Sequence, residues 1–114
     1  LRLCSLVRRE KVLDVGCDDG NWTQKITESV GAIDIYGIER NPQPAAVARN
    51  RGVQVVEQDI HDKWRFSDES FDLVHANQVI EHLHDVDHFA SEIHRVLRPG
   101  GAVVISTENG SSWH

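Results

Sequence analysis

The sequence predicts a single α/β domain built on an open parallel sheet with helices on both faces, and three observations carry that reading. Apolar β-type runs alternate along the chain with segments of helical periodicity, the pattern of right-handed strand-helix-strand crossovers. The run VLDVGCDDGNW, Val12 to Trp22, passes from an apolar strand through a glycine-containing bend towards a helix. Polar residues then follow the later strands: Glu39 after IDIYGI, Asp59 shortly after VQVV, and Asn77 and Gln78 after FDLVHA. The carboxyl ends of strands are where open parallel sheets bind their ligands.

Each element has a local reason. Val12, Leu13 and Val15 read as a strand, Lys11 to Val15, buried on both faces. Gly16 and Gly20 let the backbone bend sharply and let a ligand approach main-chain atoms. Asp19 or Asn21 can cap a short helix over Trp22 to Ser29, whose first N–H groups suit a carboxylate or phosphate, and Gly31 stops it. Glycines alone are common at such turns, so the bend by itself is a weak signal. The second strand covers Ile33 to Ile38, and Asn41-Pro42 opens a helix running to Asn50 that Gly52 ends. The third strand is Val53 to Glu57. His61 to Ser70 is a polar loop that Trp64 and Phe66 fold onto the core, and the fourth strand is Phe71 to Ala76. The longest helix runs from Asp85 to Leu97, where Val86, Phe89, Ala90, Ile93, Val96 and Leu97 form one apolar stripe. Pro99, Gly100 and Gly101 stop it, and AVVIST supplies a fifth strand.

Composition narrows the function. With 114 residues and 39% hydrophobic content, the chain is one domain that buries roughly two thirds of its unfolded surface. A formal net charge of −6 leaves no basic field to hold a phosphate backbone, so direct nucleic-acid binding is not expected. Cys4 and Cys17 are too few for a disulfide framework, and LRLCSLVRRE is too short an apolar run for a signal peptide, which fits a reducing cytoplasm. No run approaches the ~18 apolar residues of a membrane span. The chain contains no methionine and its first strand starts soon after Leu1, so residues 1–114 read as a single core excised from a longer protein.

VLDVGCDDG, the acid in GIER, the acid in EQDI, the FDLV strand and EIHRVLRPGGAVVIS together resemble, in order and spacing, the class I methyltransferases that use S-adenosylmethionine. The nearest likeness is to the type-11, small-molecule group, and it covers Val12 to Thr107. A dinucleotide fold fits less well, because G-x-G-x-x-G needs glycines where Asp18 and Asn21 stand. The resemblance implies a Rossmann-like, doubly wound sheet of about five strands in the order 3-2-1-4-5. It also implies that Asp14, Gly16 and Gly20 surround the methionine part of the cofactor, with Cys17 and Asp18 giving turn backbone. Glu39 would accept from the two ribose hydroxyls, a task suited to a carboxylate with two oxygens. Arg40 would lie beside the adenine, Asp59 would accept from its amino group and Ile60 would touch the ring. Asn77 and Gln78 would line the floor near the sulfonium.

The family commonly has glycine where this chain has Asp18, and a positive φ there would cost aspartate roughly 1 kcal/mol or more. A weakened or reshaped cofactor loop is therefore expected. Methyl transfer is an in-line displacement needing alignment of donor and acceptor rather than a nucleophilic side chain. A base is needed only where the acceptor carries a proton; the candidate is His82, with Glu81 and His84 beside it. His84 and His88, four apart with Glu81, Asp85 and Asp87 nearby, admit a divalent metal, but acids in a first helical turn account for the same residues, and no metal is expected. Singly, Asp14 can serve turn amides, Glu39 can cap the helix after Asn41 and Asp59 can be a loop acid; three polar groups after successive strands favour the ligand reading. The fifth strand would lack the family's C-terminal antiparallel hairpin and present an apolar edge, making it a candidate homodimer interface. The function read from the sequence is methyl transfer to an unidentified small molecule, against the alternative of a non-catalytic binding or scaffold module.

Overall fold

The computed structural model describes residues 11–17, 20, 34–77, 85–106 and 112–113. Its strands are β1 (Lys11–Val15), β2 (Asp34–Ile38), β3 (Gln54–Val56), β4 (Phe71–Asn77), β5 (Leu97–Ser106) and β6 (Ser112–Trp113), with helices α1 (Pro42–Asn50) and α2 (Val86–Val96) between them. The sheet order is β3-β2-β1-β4-β5-β6. The first five strands run parallel in the expected 3-2-1-4-5 order.

The register divides the side chains between two faces. Leu13 lies beside Tyr36 and Val74, and Val15 beside Ile38 and Ala76. This face carries the main core, where Phe89, Ile93 and Val96 of α2 meet Trp64, Phe71 and the partly buried Phe66. The opposite face is covered near β2 and β3 by α1, with Ala48 packed beside Cys17, Val53, Ile35 and Val55. Helices thus cover opposite faces, as a doubly wound sheet requires. No described helix is long and apolar enough to cross a membrane.

Local sequence fixes several boundaries. Pro42 opens α1, and Gly52, with φ +94°, lets the chain leave it. Because Val53 donates its N–H to the Ala48 carbonyl, it still belongs to the helix exit, and β3 is shorter than Val53 to Glu57. Asp85 caps α2 by accepting from the His88 amide at 3.0 Å. The expected helix over Trp22 to Ser29 falls outside the described residues.

Other expectations are corrected. Val86 and Ala90 are exposed; the inward stripe of α2 is Phe89, Glu92, Ile93 and Val96. Glu92 occupies a core position because its charge is fully engaged. It accepts from the Trp64 amide at 2.7 Å and from Arg95 Nε at 2.8 Å, and Arg95 also donates to the carbonyls of Phe66 and Trp64 and to Asp68. This buried clamp, together with the aromatics, holds the loop before β4. Pro99, Gly100 and Gly101 do not separate helix from strand. β5 already pairs at Leu97 with Phe71, and the register shift between Phe71 and Leu73 absorbs the Pro-Gly-Gly residues as an irregularity within the strand. Nor is β5 a bare edge. β6 pairs antiparallel with its end, Ile105 with Trp113 and Ser106 with Ser112, supplying hydrogen-bond partners where the sequence suggested an open edge.

Candidate functional site

The bend after β1 is built across the end of β2. Gly16 turns at φ +71°, and the amides of Gly16 and Cys17 both donate to the Ile38 carbonyl, at 2.8 and 3.0 Å. The residue after Ile38 is Glu39, whose own amide donates to the Val56 carbonyl at 3.1 Å. The bend, the end of β2 and the end of β3 are thereby laced together at the carboxyl edge of the sheet.

Close packing explains two glycines. A Cβ on Gly20 would come 3.2 Å from the Ala48 Cα, at a φ of +84°. Gly20 therefore seats the bend on α1, in addition to allowing the sharp turn expected of it. A Cβ on Gly37 would lie 2.6 Å from the Cys17 sulfur, so the flat surface of β2 makes room for the buried Cys17 side chain. Asp18 lies outside the described residues.

Asp14 is fully buried. It stands between Gly37 and His75 in the register, and its Oδ1 lies 2.9 Å from His75 Nδ1. The sequence reading passed over His75, and alternation along β4 was the one signal placing it on the Asp14 face.

Glu39 is partly exposed and accepts from the Asn41 amide at 3.0 Å, so it does brace the start of α1 while standing at the end of β2. Arg40 is exposed, with Nη1 3.6 Å from Asp59 Oδ2. This contact draws the segments after β2 and β3 to one rim. Asp59 is held by His61 twice on the same oxygen: the amide donates at 2.9 Å and ring Nδ1 lies at 2.7 Å from Oδ1. Those bonds, with Arg40 nearby, keep the Asp59 carboxyl below its ordinary range. Ile60, partly buried, packs against the main core, and its carbonyl accepts from the Trp64 indole at 3.0 Å. His61 was absent from the sequence-based site, although its position two residues beyond Asp59 permits a local hydrogen bond.

Asn77 closes β4 beside Ser106. Gln78, Glu81, His82 and His84 lie outside the described residues. His88 is engaged by its ring Nε2 with the Asp62 carbonyl at 3.2 Å, and no cluster of metal-ligating side chains occurs among the described residues. The arrangement presents two carboxylates, Glu39 and Asp59, after adjacent parallel strands and beside a glycine bend, at the carboxyl edge of the sheet where such folds bind their ligands.

Comparison with known proteins gives this chain a family. The sequence profile described as "Methyltransferase domain" matches residues 1–114. A probable S-adenosylmethionine-dependent methyltransferase of Mycolicibacterium smegmatis is 36% identical over 112 residues, spanning 95% of this chain and 42% of that protein. The ubiquinone biosynthesis O-methyltransferase of Klebsiella pneumoniae is 30% identical, over 91% of this chain and 46% of its own length. Among solved structures, phosphoethanolamine N-methyltransferase 2 of Haemonchus contortus in complex with S-adenosyl-L-methionine superposes with a TM-score of 0.77 at 28% identity, covering 88% of this chain and 24% of that one. The chain thus spans less than half the length of these relatives. From the full-length profile match, the order of the sheet and the residues of the bend, the chain belongs to the class I S-adenosylmethionine-dependent methyltransferase family.

Proposed function

We propose that the protein transfers a methyl group from S-adenosylmethionine to a small molecule, with the cofactor lying along the rim formed by the bend, Glu39 and Asp59. The observation that carries this reading is the lacing of Gly16, Cys17 and Glu39 across the ends of β2 and β3. It gathers acceptor-only carboxylates at the edge where a nucleoside's donors would arrive. The residues at the rim fit the group: Glu39 to accept from paired ribose hydroxyls, Asp59 to accept from an exocyclic amine, and Ile60 to touch the ring. When bound, the cofactor supplies a methyl on a cationic sulfur, already a good leaving group.

In this reading, the chain's work is positional. Gly16 and Cys17 hold the bend, Asp14 is kept oriented by His75 beneath it, and Arg40 flanks the adenine end. Asn77, with Asp18 and Gln78, would complete the floor around the methionine end. His82 is the proposed base for an acceptor that must lose a proton. Relatives named for a ubiquinone pathway and for phosphoethanolamine support a small-molecule acceptor, and their names as methyltransferases favour an enzyme over a scaffold.

Titration calorimetry with S-adenosylhomocysteine, and with NAD as control, tests the reading. Saturable binding of the first alone is expected; NAD binding, or none of either, would overturn it.

A further inference from the structure

Asp59 is a partly exposed acid that is nevertheless held in place by hydrogen bonds. Its side chain retains 39% of its accessible surface, and such residues ordinarily rotate freely. Here the His61 amide and ring both hold Oδ1. The surrounding backbone is fixed as well. The Asp62 amide and the Gln58 side chain both donate to the Asp59 carbonyl, at 3.1 and 3.2 Å. Gln58, itself buried, also binds the Lys63 carbonyl and the Arg65 amide, and the Trp64 indole holds the Ile60 carbonyl. With Oδ1 held by His61, the other oxygen, Oδ2, faces the Arg40 side of the rim at 3.6 Å from Nη1.

We infer that His61 is a specificity-determining positioning residue: by occupying one oxygen of Asp59, it aims the other at an exocyclic amine and so makes the site prefer adenine over a purine without that group. The inference rests on the cofactor reading above. Its chemistry is local. With Oδ1 engaged twice, Oδ2 is the oxygen turned to the rim, and less rotamer entropy is lost when a donor arrives than for an unheld acid. Because the carboxylate only accepts, the ring proton resides on Nδ1, and an asparagine amide, whose NH2 occupies the equivalent position, can replace it.

The test compares the affinity of the full chain for S-adenosylhomocysteine with that for its analogue carrying unsubstituted purine in place of adenine. The wild-type protein should prefer the amino-bearing ligand by about 10-fold, the value of a charge-assisted hydrogen bond. His61→Ala should bring the preference down to about 2-fold or less, while affinity for the purine analogue stays nearly constant. His61→Asn should restore the preference, and Glu39→Ala should weaken both ligands together without changing their ratio. An unchanged preference in His61→Ala, or equal losses for both ligands, would overturn the role given to His61 while leaving the cofactor reading intact. Failure of the wild-type protein to bind S-adenosylhomocysteine would overturn the cofactor reading and this inference together.

Discussion

Glu92 and Asp59 are both held below the ordinary carboxylate range, yet by opposite designs. Glu92 is buried on α2, and the Arg95 guanidinium is the chief cause, with the Trp64 amide adding to it. Asp59 stands at the rim, held chiefly by the His61 amide and then by the His61 ring. In the clamp both Glu92 oxygens are taken: Oε1 by the Trp64 amide and Arg95, Oε2 by Arg95. At the rim a single oxygen takes both His61 bonds. The difference teaches that an acid consumed by its own chain stabilises a loop, whereas one whose two His61 bonds share a single oxygen leaves the other at the rim, beside the exposed Arg40 side chain.

The largest expected effect breaks the clamp. Arg95→Ala leaves Glu92 charged in the core and removes the donors to Trp64, Phe66 and Asp68. Loss of one partner of a buried ion pair costs about 3–5 kcal/mol, to be read as a fall in the urea midpoint. Glu92→Met with Arg95→Met should recover part of it, since removing both charges leaves none uncompensated. A loss below about 1 kcal/mol for Arg95→Ala would mean that the clamp decorates a loop the aromatics already hold.

Trp64 joins the two regions. Its amide donates to Glu92 while its indole donates to the Ile60 carbonyl, next to Asp59, and it is almost wholly buried against Phe89 at 5.7 Å between ring centroids. Trp64→Phe keeps the amide and removes the indole, so it should cost roughly 1–3 kcal/mol from the lost bond and the space left behind. It should also weaken S-adenosylhomocysteine binding a few-fold, with the change at Ile60 and Asp59. Lost stability with unchanged affinity would show that clamp and rim are energetically separate.

At the rim the balance reverses. Asp59→Asn and Glu39→Ala remove partly exposed groups, so stability should move by no more than about 0.5–1 kcal/mol. Affinity for S-adenosylhomocysteine should fall about 10-fold in each. Melting curves beside calorimetry separate the two effects, and a large drop in melting temperature with little change in binding would return both residues to a structural role.

The same contrast explains what the sequence made legible. Signals that act within a few residues were readable: Pro42 and Gly52 bounding α1, the start of α2 near Asp85, the bend at Gly16 and the acids at the strand ends. Those that join distant parts of the chain were not. The Asp14–His75 pair spans 61 positions and the Glu92–Trp64 bond 28, and a charged residue at a core-facing helical position reads as solvent-facing until its partner is known. That is why Ala90 was assigned to the stripe and Glu92 was not. β6 escaped notice because two residues are too few to carry a period. His61 is the exception, a local signal hidden because a histidine beside an acid has many uses.

The smallest effect is the dependence on pH, and it distinguishes the two acids without abolishing either. Both carboxyls have folded-state values lowered from the usual ones. Each therefore contributes stability that is present above the unfolded carboxylate value and is lost as pH falls through its lowered folded value. For Glu92 this appears in folding: the urea midpoint of the wild-type protein should fall in acid, and Glu92→Gln should be less stable near neutrality with a shallower acid decline. For Asp59 it appears in binding, because the rim needs the carboxylate charged. His61→Ala keeps the amide that is the largest cause of the lowering and removes the hydrogen bond and charge of the ring, so the acid loss of S-adenosylhomocysteine affinity should begin at a modestly higher pH in the variant than in the wild type. Titration of the ligand is common to both proteins and cancels in that difference. Coincident acid limbs for wild type and His61→Ala would mean that the His61 ring does not govern the charge of Asp59, and the rim would then lose the ring's part in its distinction from an ordinary surface acid.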